Sequence, residues 1–457
     1  MWLLLGFRPL YSRMITVDVL AARAHGCANV NDRSYYLSPA QPTQQPQPIL
    51  YDPVLELTFP FELTGPDNIP DNQDEVYFPV PRTHMPAKKC FLNAMVSLCK
   101  VFRFHANETC EQDYAANTFG AIWTQLLAYA DVEGLDSQYI CHSLSSKYCS
   151  APKTNLVDTT KLFPKPKLAD VQVPEASGER VKVLRLSDFH LDARKGKQDE
   201  HLAWTLYTGD LVSHDPASQI SKALTQYTET SIYGMLKHYL SGSVFVALSN
   251  HDTSPANIDS PHSLPGRLGE QQIWNYEHLA GLWRHEGWIS REAAEEARTH
   301  YGGYSVETRY GLCITAFNTV TRTGPTHLPN PTDLFYQIVD RYSAHVIANI
   351  FLGHTHEDQF MVYYANNGTV QNAENALTTG WIMPSITPLT NLNSGFRLYE
   401  VDTGDFNIYE AYTLYSNVSD YPALDHTGPT FEIEYSTRNA YGLAAGYGSV
   451  QSAFEEN

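Results

Sequence analysis

The segment Val181-Lys-Val-Leu-Arg-Leu-Ser-Asp-Phe-His190 places an apolar, β-branched run directly before an aspartate and a histidine. A run of this length and composition is typical of a buried strand, so Asp188 and His190 are expected at its carboxyl end. Carboxylate oxygens and imidazole nitrogens are the ligands that hold zinc and similar divalent cations in proteins. The segment therefore predicts a strand that ends in metal-binding side chains.

Three further polar clusters follow apolar runs of the same kind. They are Gly209-Asp210 after residues 204–208, Asn250-His-Asp252 after residues 244–248, and Gly353-His-Thr-His356 after residues 346–352. Residues 220–240 repeat apolar side chains at helical spacing, which predicts a βαβ unit and a parallel sheet. Because open sheets of this kind bind ligands at the carboxyl ends of their strands, all four clusters are expected to converge on one edge of the sheet.

Taken singly, each cluster has an ordinary explanation. An Asp-x-His or Gly-Asp pair is more often a turn or a helix cap than a metal site. The order of the four clusters favours a binuclear metal site instead. His354 and His356 also lie two residues apart, a spacing that suits two neighbouring metals better than two histidines of a core.

The clusters resemble those of the calcineurin-like metallophosphoesterase superfamily, and more closely of its acid sphingomyelinase family. The most specific motifs are Gly209-Asp-Leu-Val-Ser-His214-Asp215 and Gly353-His-Thr-His-Glu-Asp-Gln-Phe360, with a weaker one at Trp274-Asn-Tyr-Glu-His278. The resemblance implies a four-layer α/β/β/α sandwich preceded by a small helical saposin-B-like domain. It also implies hydrolysis of sphingomyelin to ceramide and phosphocholine by a metal-activated water.

The resemblance further implies which side chains bind the metals. Two zinc ions would share one bridging carboxylate, since two divalent cations about 3.5 to 4 Å apart can activate a water and neutralise phosphate oxygens. The first zinc would be held by Asp188, His190, Asp210 and His356, and the second by Asp210, Asn250 and His354.

Two further histidines match positions that contact the scissile phosphate or protonate the leaving group. His251 is the first choice and His214 the second, because an alkoxide leaving group needs a proton and imidazole can supply one near neutral pH. The reverse assignment is open. His214 also has a simpler explanation as a residue that enters a helix, since Asp215-Pro216 is a plausible N-cap followed by a proline at the first helical position.

One ligand expected from the superfamily is missing from the sequence. A Gly-His cluster on its own strand normally precedes the fourth cluster, but here the apolar run 312–317 leads through a proline-bounded loop into a helix predicted over 333–342. His327 in that loop is a candidate substitute, although a loop histidine is more often simply solvated. The alternatives are a nucleotide phosphodiesterase or phosphohydrolase of the same family and a catalytically impaired lipid-binding paralogue.

Composition restricts the partners. The chain has 31 basic and 50 acidic residues, a net charge of -19, which argues against nucleic-acid binding and against adhesion to anionic membranes. Zwitterionic lipid would not be repelled. No apolar run reaches the roughly 18 residues of a transmembrane helix, and no signal peptide is clearly readable at the amino terminus.

The cysteines indicate an oxidising compartment. Five of the seven, from Cys90 to Cys149, fall in one segment that reads as helices, which resembles a saposin-like domain that would bind a sphingolipid or membrane surface. A disulfide-stapled helical cap without a lipid role is the alternative. Cys27 and Cys313 are the expected unpaired cysteines. Glycosylation sequons at Asn107, Asn367 and Asn417 agree with a secreted protein or one in a lysosome-like acidic compartment.

These observations divide the chain into five regions. They are an unassigned N-terminal extension (1–85) with a Pro/Gln-rich linker (39–53), a saposin-B-like helical domain (86–150), a Pro-rich linker (151–179), a metallophosphoesterase domain (180–425), and the start of a truncated C-terminal helical region (426–457). A hairpin is predicted over 396–411, in the second sheet of the sandwich.

Overall fold

The structure is a computed structural model that describes most of the chain from residue 171 onwards and shorter stretches before it. The described residues are 16–23, 50–52, 57–59, 95–97, 99–101, 110–111, 133–144, 149–150, 152–153, 158–167, 171–189, 202–214, 220, 222–254, 256–259, 267–318, 329–389, 392–424 and 429–441.

The elements with defined bounds alternate between strands and helices. The strands are β1 (Thr16–Arg23), β2 (Leu50–Asp52), β3 (Leu57–Phe59), β4 (Arg180–Leu186), β5 (Trp204–Tyr207), β6 (Ser243–Val246), β7 (Tyr304–Glu307), β8 (Leu312–Ala316), β9 (Ile347–Gly353), β10 (Gln359–Tyr364), β11 (Ala376–Ile382), β12 (Ser394–Asp402), β13 (Ile408–Ser416) and β14 (Glu432–Ser436). The helices are α1 (Leu135–Leu144), α2 (Thr159–Leu162), α3 (Lys222–Tyr239), α4 (Arg267–His285), α5 (Arg291–Thr299), α6 (Pro329–Tyr342) and α7 (Thr437–Ala440), with 3-10 turns at Asn366–Gly368, Ala373–Asn375 and Val418–Ala423.

The first six-stranded sheet contains the predicted βαβ unit. Its order is β14-β13-β12-β4-β5-β6, with β4, β5 and β6 parallel and α3 connecting β5 to β6. The predicted hairpin is also present, as β12 and β13. The prediction that this hairpin lies in the other sheet of the sandwich is wrong. Strand β12 pairs with the side of β4 that does not face β5, so the hairpin extends the first sheet.

The second six-stranded sheet has the order β10-β11-β9-β1-β8-β7 and includes the strand that carries the fourth polar cluster. The sequence predicted that all four clusters follow strands of one sheet. That prediction is wrong. Three follow β4, β5 and β6 of the first sheet, and the fourth follows β9 of the second. Sheet membership depends on pairing between distant segments, which a local pattern does not encode.

Strand β1 takes a central position in the second sheet although it comes from the unassigned N-terminal extension. It runs antiparallel to both neighbours, with Thr16 opposite Gly353 of β9 and Ala22 opposite Cys313 of β8. The space between β8 and β9 is thus filled by a segment nearly three hundred residues away in sequence. Because β8 and β9 both run opposite to β1, their carboxyl ends lie at the same edge of the sheet.

The two sheets pack against each other through alternating side chains. Phe351 of β9 and Trp381 of β11 both contact Tyr399 of β12, with ring centroids 5.6 and 5.7 Å apart. The neighbours of Phe351 along β9 point to the opposite face and pack against Val339 of α6. A mixed α/β fold with two packed sheets and helices, as expected for a metallophosphoesterase, is confirmed.

A buried arginine joins the two sheets next to the predicted metal edge. Arg185 of β4 is completely buried, and its guanidinium donates to the carbonyls of Trp381 at 2.8 Å and Leu352 at 2.7 Å. Leu352 lies two residues before His354, and Arg185 lies three residues before Asp188. The contact therefore fixes the end of β4 relative to the ends of β9 and β11.

Outside this core, the cysteines differ from expectation in one respect. Cys99 pairs with Cys110 and Cys141 pairs with Cys149, beside the short helical stretches of the predicted saposin-like region. Cys313, expected to be unpaired, is disulfide-bonded. Its partner is none of those four cysteines. Neither the saposin-like domain nor the domain boundaries follow from these contacts, and both stay predictions.

The predicted C-terminal helical region instead contributes an edge strand. Of the described residues in this region, 429–441, residues 432–436 form β14, hydrogen-bonded to β13, and the four residues of α7 follow. The reason is visible in Phe431-Glu-Ile-Glu-Tyr-Ser436, where apolar and polar residues alternate with the period of a strand. Among the described helices, none combines the length and apolar character needed to cross a bilayer.

We expect the substitution Arg185→Met to lower the free energy of unfolding by about 2 kcal/mol or more, because it removes two buried hydrogen bonds that the guanidinium donates to β9 and β11. The measurement is the midpoint of urea unfolding followed by tryptophan fluorescence. Lys182→Met on the exposed side of the same strand is the control and should change stability by less than about 0.5 kcal/mol. Equal midpoints for both variants would contradict a joining role for Arg185.

Candidate metal centre

Four of the predicted ligands share an unusual backbone conformation. Asp188, Asp210, His354 and His356 have φ angles of 50°, 62°, 77° and 61°. The left-handed region is uncommon for residues other than glycine, although Asp, Asn and His enter it more readily than most. Non-glycine residues in this region cost about 1 to 3 kcal/mol each and cluster at functional sites. Each of these ligands therefore lies in a sharp turn directly after its strand.

The first contact group joins the end of β4 to the loop after β9. Nε2 of His356 lies 3.3 Å from Oδ1 of Asp188, and the backbone N–H of His354 donates to Oδ2 of Asp188 at 3.3 Å. Oδ2 also accepts from the hydroxyl of Ser187. Asp188 is completely buried, and its Oδ1 accepts no hydrogen bond within the described part of the chain.

The second contact group joins the ends of β5, β6 and β9. Oδ2 of Asp210 lies 3.7 Å from Nδ1 of His354, and Oδ1 of Asp210 accepts from the backbone N–H of His251 at 2.7 Å. One end of the Asn250 side-chain amide lies 2.9 Å from Nδ1 of His354 and 3.2 and 3.3 Å from the two Asp210 oxygens. Burial lowers the pKa of His354, but the hydrogen bond and charge of Asp210 raise it above its ordinary value.

A third carboxylate fixes the backbone of this second group. Asp252 is completely buried and accepts from the backbone N–H groups of Asp210 at 3.1 Å, Leu211 at 2.8 Å and Ser249 at 3.0 Å. It thereby links the turn after β5 to the turn after β6. Burial, together with the negative charge of Asp210, raises the pKa of Asp252 to about 7.

The two candidate catalytic histidines lie beside these groups. The ring centroids of His214 and His251 are 4.0 Å apart, and those of His214 and His356 are 5.9 Å apart. Nδ1 of His251 lies 3.2 Å from the carbonyl oxygen of Ser213. Because a carbonyl can only accept, Nδ1 carries the proton, and Nε2 is the ring nitrogen of His251 that can exchange a proton with a substrate.

The residues present fit two divalent cations. Oδ1 of Asp188 is buried and accepts no hydrogen bond from the described residues, and a cation between Asp188 and His356 would satisfy it. In the second group, Asp210, Asn250 and His354 bring oxygen and imidazole ligands within 4 Å of one another. In the described residues, no three His, Cys, Asp or Glu side chains form a site by themselves. The first group would need His190 and the second the oxygen of Asn250.

Comparison with known proteins finds relatives that are all phosphodiesterases. The sequence matches no protein-family model. It is 26% identical over 296 residues to sphingomyelin phosphodiesterase 2 of Caenorhabditis elegans (54% of this chain, 46% of the relative), and 26% identical over 285 residues to sphingomyelin phosphodiesterase of Bos taurus (52% and 43%). It is also 26% identical over 326 residues to a cyclic GMP-AMP phosphodiesterase of Mus musculus (57% and 66%).

The chain is thus similar in sequence to members of the acid sphingomyelinase family. It spans less than half the length of the two sphingomyelin phosphodiesterases that it matches. The names of these relatives cover two kinds of phosphodiester, a sphingolipid and a cyclic dinucleotide. Similarity to the acid sphingomyelinase family therefore leaves the substrate to be argued from other observations.

The structure brings together seven of the eight residues predicted for the acid sphingomyelinase site. The eighth, His190, lies outside the described residues, as do the candidate substitute His327 and the sequon residue Asn107. The other two sequon residues, Asn367 and Asn417, are exposed and could carry glycans. The metal-binding and catalytic roles themselves stay predictions.

His278, from the weaker of the motifs that carried the resemblance, is part of the interior and not of this site. Its Nε2 lies 3.3 Å from a carboxylate oxygen of the fully buried Glu229, across the contact between α3 and α4. Burial lowers the pKa of His278 to about 3 and raises the pKa of Glu229 well above its ordinary value. The imidazole of His278 is therefore neutral near pH 7.

Sequence reasoning missed the residues that support the ligands. Asp252 was noted as part of a cluster but given no role, and Asn257, which contacts Asn250, was not noticed. A signal was present for Asp252, because an aspartate after a strand end can accept several backbone N–H groups in a turn. No comparable signal marks Asn257, since its contact spans a loop of seven residues.

Gly209 tests how tightly the turn after β5 is packed. A Cβ added there would lie 2.5 Å from Cβ of Ser249 and 2.7 Å from Oδ2 of Asp252, and φ is 77°. We expect Gly209→Ala to lower the unfolding free energy by more than about 2 kcal/mol and to weaken zinc binding, measured by chemical denaturation and by titration with a zinc chelator.

Gly178→Ala is the matched control for this experiment. Gly178 has nearly the same φ, 78°, but nothing lies within 4 Å of an added Cβ. It should therefore show only the conformational cost of about 1 to 2 kcal/mol. If Gly209→Ala destabilises the protein no more than Gly178→Ala does, close packing around position 209 does not explain why a glycine is present there.

Proposed function

We propose that this chain carries a zinc-dependent phosphodiesterase site of the acid sphingomyelinase type, which hydrolyses sphingomyelin to ceramide and phosphocholine. The observation that carries the proposal is the convergence of Asp188, Asp210, His354 and His356 in left-handed turns, with a buried oxygen of Asp188 that accepts no described hydrogen bond. The similarity to sphingomyelin phosphodiesterases supports the same chemistry.

In this proposal Asp188, His190, Asp210 and His356 hold one zinc ion, and Asp210, Asn250 and His354 hold the other. When bound, two such ions lower the pKa of a water and neutralise the oxygens of a phosphodiester. Asp210 is suited to bridge because its two oxygens face different partners, His354 on one side and the backbone of His251 on the other. Asp252 keeps the main chain of Asp210 and Ser249 in place.

His251 is the proposed general acid. Its Nδ1 is directed at the carbonyl of Ser213, so the ring is held in one orientation and Nε2 carries the exchangeable proton. His251 follows Asn250 directly, which places the ring next to the second contact group. The neighbouring ring of His214, which is exposed, is in position to contact a phosphate oxygen or to alter the charge of His251.

Sphingomyelin is the proposed substrate on three grounds. Relatives from Caenorhabditis elegans, Bos taurus and Homo sapiens carry the name sphingomyelin phosphodiesterase. The net charge of -19 disfavours an anionic polymer but not a zwitterionic headgroup. The cysteine-containing helical region before the catalytic part is the proposed contact with the lipid surface. Its disulfides Cys99–Cys110 and Cys141–Cys149 support an oxidising, secreted or lysosome-like compartment.

A nucleotide phosphodiester is the second candidate substrate. The match to the mouse cyclic GMP-AMP phosphodiesterase favours it. That alignment covers 66% of the relative, whereas the alignment to sphingomyelin phosphodiesterase 2 of Caenorhabditis elegans covers 46%. A third possibility is an impaired, lipid-binding protein, since the second contact group offers only three side chains. The assays below separate these outcomes.

The first test is phosphocholine release from sphingomyelin micelles at mildly acidic pH with added zinc. We expect activity that EDTA removes and that Asp210→Asn reduces by at least a hundredfold, because the bridging carboxylate is lost. Asp340→Asn, a surface change on α6 away from the site, should retain wild-type activity. Hydrolysis of a cyclic dinucleotide but not of sphingomyelin would select the second candidate, and activity on neither substrate from folded, zinc-loaded protein would select the third.

The second test concerns the leaving group. We expect His251→Gln to slow hydrolysis of sphingomyelin by about a hundredfold or more but to affect p-nitrophenyl phosphocholine far less, because p-nitrophenolate leaves without a proton. The measurement compares kcat/KM for the two substrates in each protein. An equal loss on both substrates would assign His251 to phosphate binding, and a selective loss in His214→Gln instead would transfer the acid role to His214.

A further inference from the structure

The side-chain amide of Asn250 has two chemically different ends, and only one of them can bind a metal. An amide oxygen is a ligand for a divalent cation, whereas an NH2 group is a hydrogen-bond donor. The end that faces the second contact group lies within 3.3 Å of Nδ1 of His354 and of both oxygens of Asp210, which are all potential acceptors. An NH2 at that position would bind these acceptors directly and exclude a cation.

The other end of this amide contacts Asn257. In the structure Nδ2 of Asn250 donates to Oδ1 of Asn257 at 2.9 Å, and this orientation directs the oxygen of Asn250 toward Asp210 and His354. The backbone N–H of Asn257 also donates to the carbonyl of Asn250 at 2.7 Å, so the loop closes on itself. With a cation on one side of the amide, the acceptor Oδ1 of Asn257 on the other side favours the orientation in which the oxygen of Asn250 faces the metal centre.

The position of Asn257 is itself fixed by the protein around it. Two residues further on, Asp259 accepts from the hydroxyl of Tyr276 on α4 and from Nδ2 of Asn318 at 2.6 Å, at the end of β8. Asn257 has a φ of 66°, which turns the chain back toward Asn250. Contacts on either side of Asn257, at Asn250 and at Asp259, therefore hold it in place.

We propose that Asn257 is a positioning residue for the second metal, which orients the Asn250 amide with its oxygen toward Asp210 and His354. The proposal rests on the proposed function, because it requires that a cation binds in this group. The side chain of Asn257 is exposed, so its removal leaves the core intact. A neighbour that orients a metal ligand contributes about 10- to 100-fold to metal affinity, and the lower value is expected for an exposed contact.

The test measures the affinity of both metals by calorimetric titration of chelator-treated protein with zinc, without any substrate. Asn257→Gly removes the side chain but keeps the backbone donor and tolerates the positive φ. We expect it to weaken the lower-affinity zinc about tenfold and to leave the higher-affinity zinc unchanged. Asn257→Asp keeps the acceptor, so its affinity for the lower-affinity zinc should stay within about threefold of the wild-type value.

Ala256→Asp controls for the added charge, because it places a carboxylate on the same loop without the contact to Asn250. Two ratios of zinc affinity are compared: Ala256→Asp against wild type, and Asn257→Asp against Asn257→Gly. If the two ratios are equal, the effect of Asn257→Asp is electrostatic and the positioning role is refuted. Wild-type protein that binds two zinc ions while Asn257→Gly shows unchanged affinities would refute the inference and leave the proposed function intact. Wild-type protein that binds no second zinc would refute both.

Discussion

Three carboxylates are buried together where the ends of the strands meet, and the rest of the site depends on how their charge is compensated. Asp188, Asp210 and Asp252 are each at most 1% exposed. Removing a carboxylate from water costs several kcal/mol unless hydrogen bonds or opposite charges replace the solvent. Asp252 is compensated by three backbone N–H groups. Asp188 and Asp210 face histidines and, in the proposed function, two zinc ions.

This need for compensation accounts for the backbone around the site. A ligand on a regular strand would point to one face of its sheet, whereas a left-handed residue just after the strand turns the side chain to the edge between the two sheets. Four ligands adopt that conformation, and Gly209 lets the turns after β5 and β6 approach closely enough to share Asp252. Arg185 then holds the first sheet against the strand that carries His354 and His356. Packing energy from the core supports local strain at the site.

The two halves of the centre are supported differently. Asp188 and His356 lie on strands that Arg185 joins directly, and both side chains are buried. Asn250 lies in a loop near the surface. Contacts of Asn257 and Asp259 hold this loop in place. The second half is also where the sequence lacks the expected Gly-His cluster. In the proposed function, the second half is therefore the more sensitive part of the centre, and substrate choice depends on surfaces beyond the metal ligands.

The sequence by itself determined the local features of this protein. Apolar runs followed by Asp, Asn or His predicted β4, β5, β6 and β9 and nearly all of the site residues, because strand composition and ligand chemistry are both local properties. The helix between β5 and β6 and the hairpin of β12 and β13 followed from periodicity and turn residues. The resemblance to the acid sphingomyelinase family was also accessible at this level, since the motifs that carry it are short and contiguous.

The tertiary structure decided what depends on contacts between distant residues. It divided the clusters between two sheets, extended the first sheet with the predicted hairpin, and inserted β1 between β8 and β9. It also showed that Cys313 is disulfide-bonded and that residues 432–436 pair as a strand. Asp252 and Asn257 acquire their roles only through partners across turns and loops. Strand pairing and side-chain partners at long range depend on the whole chain folding together, whereas periodicity and ligand type are written into each segment.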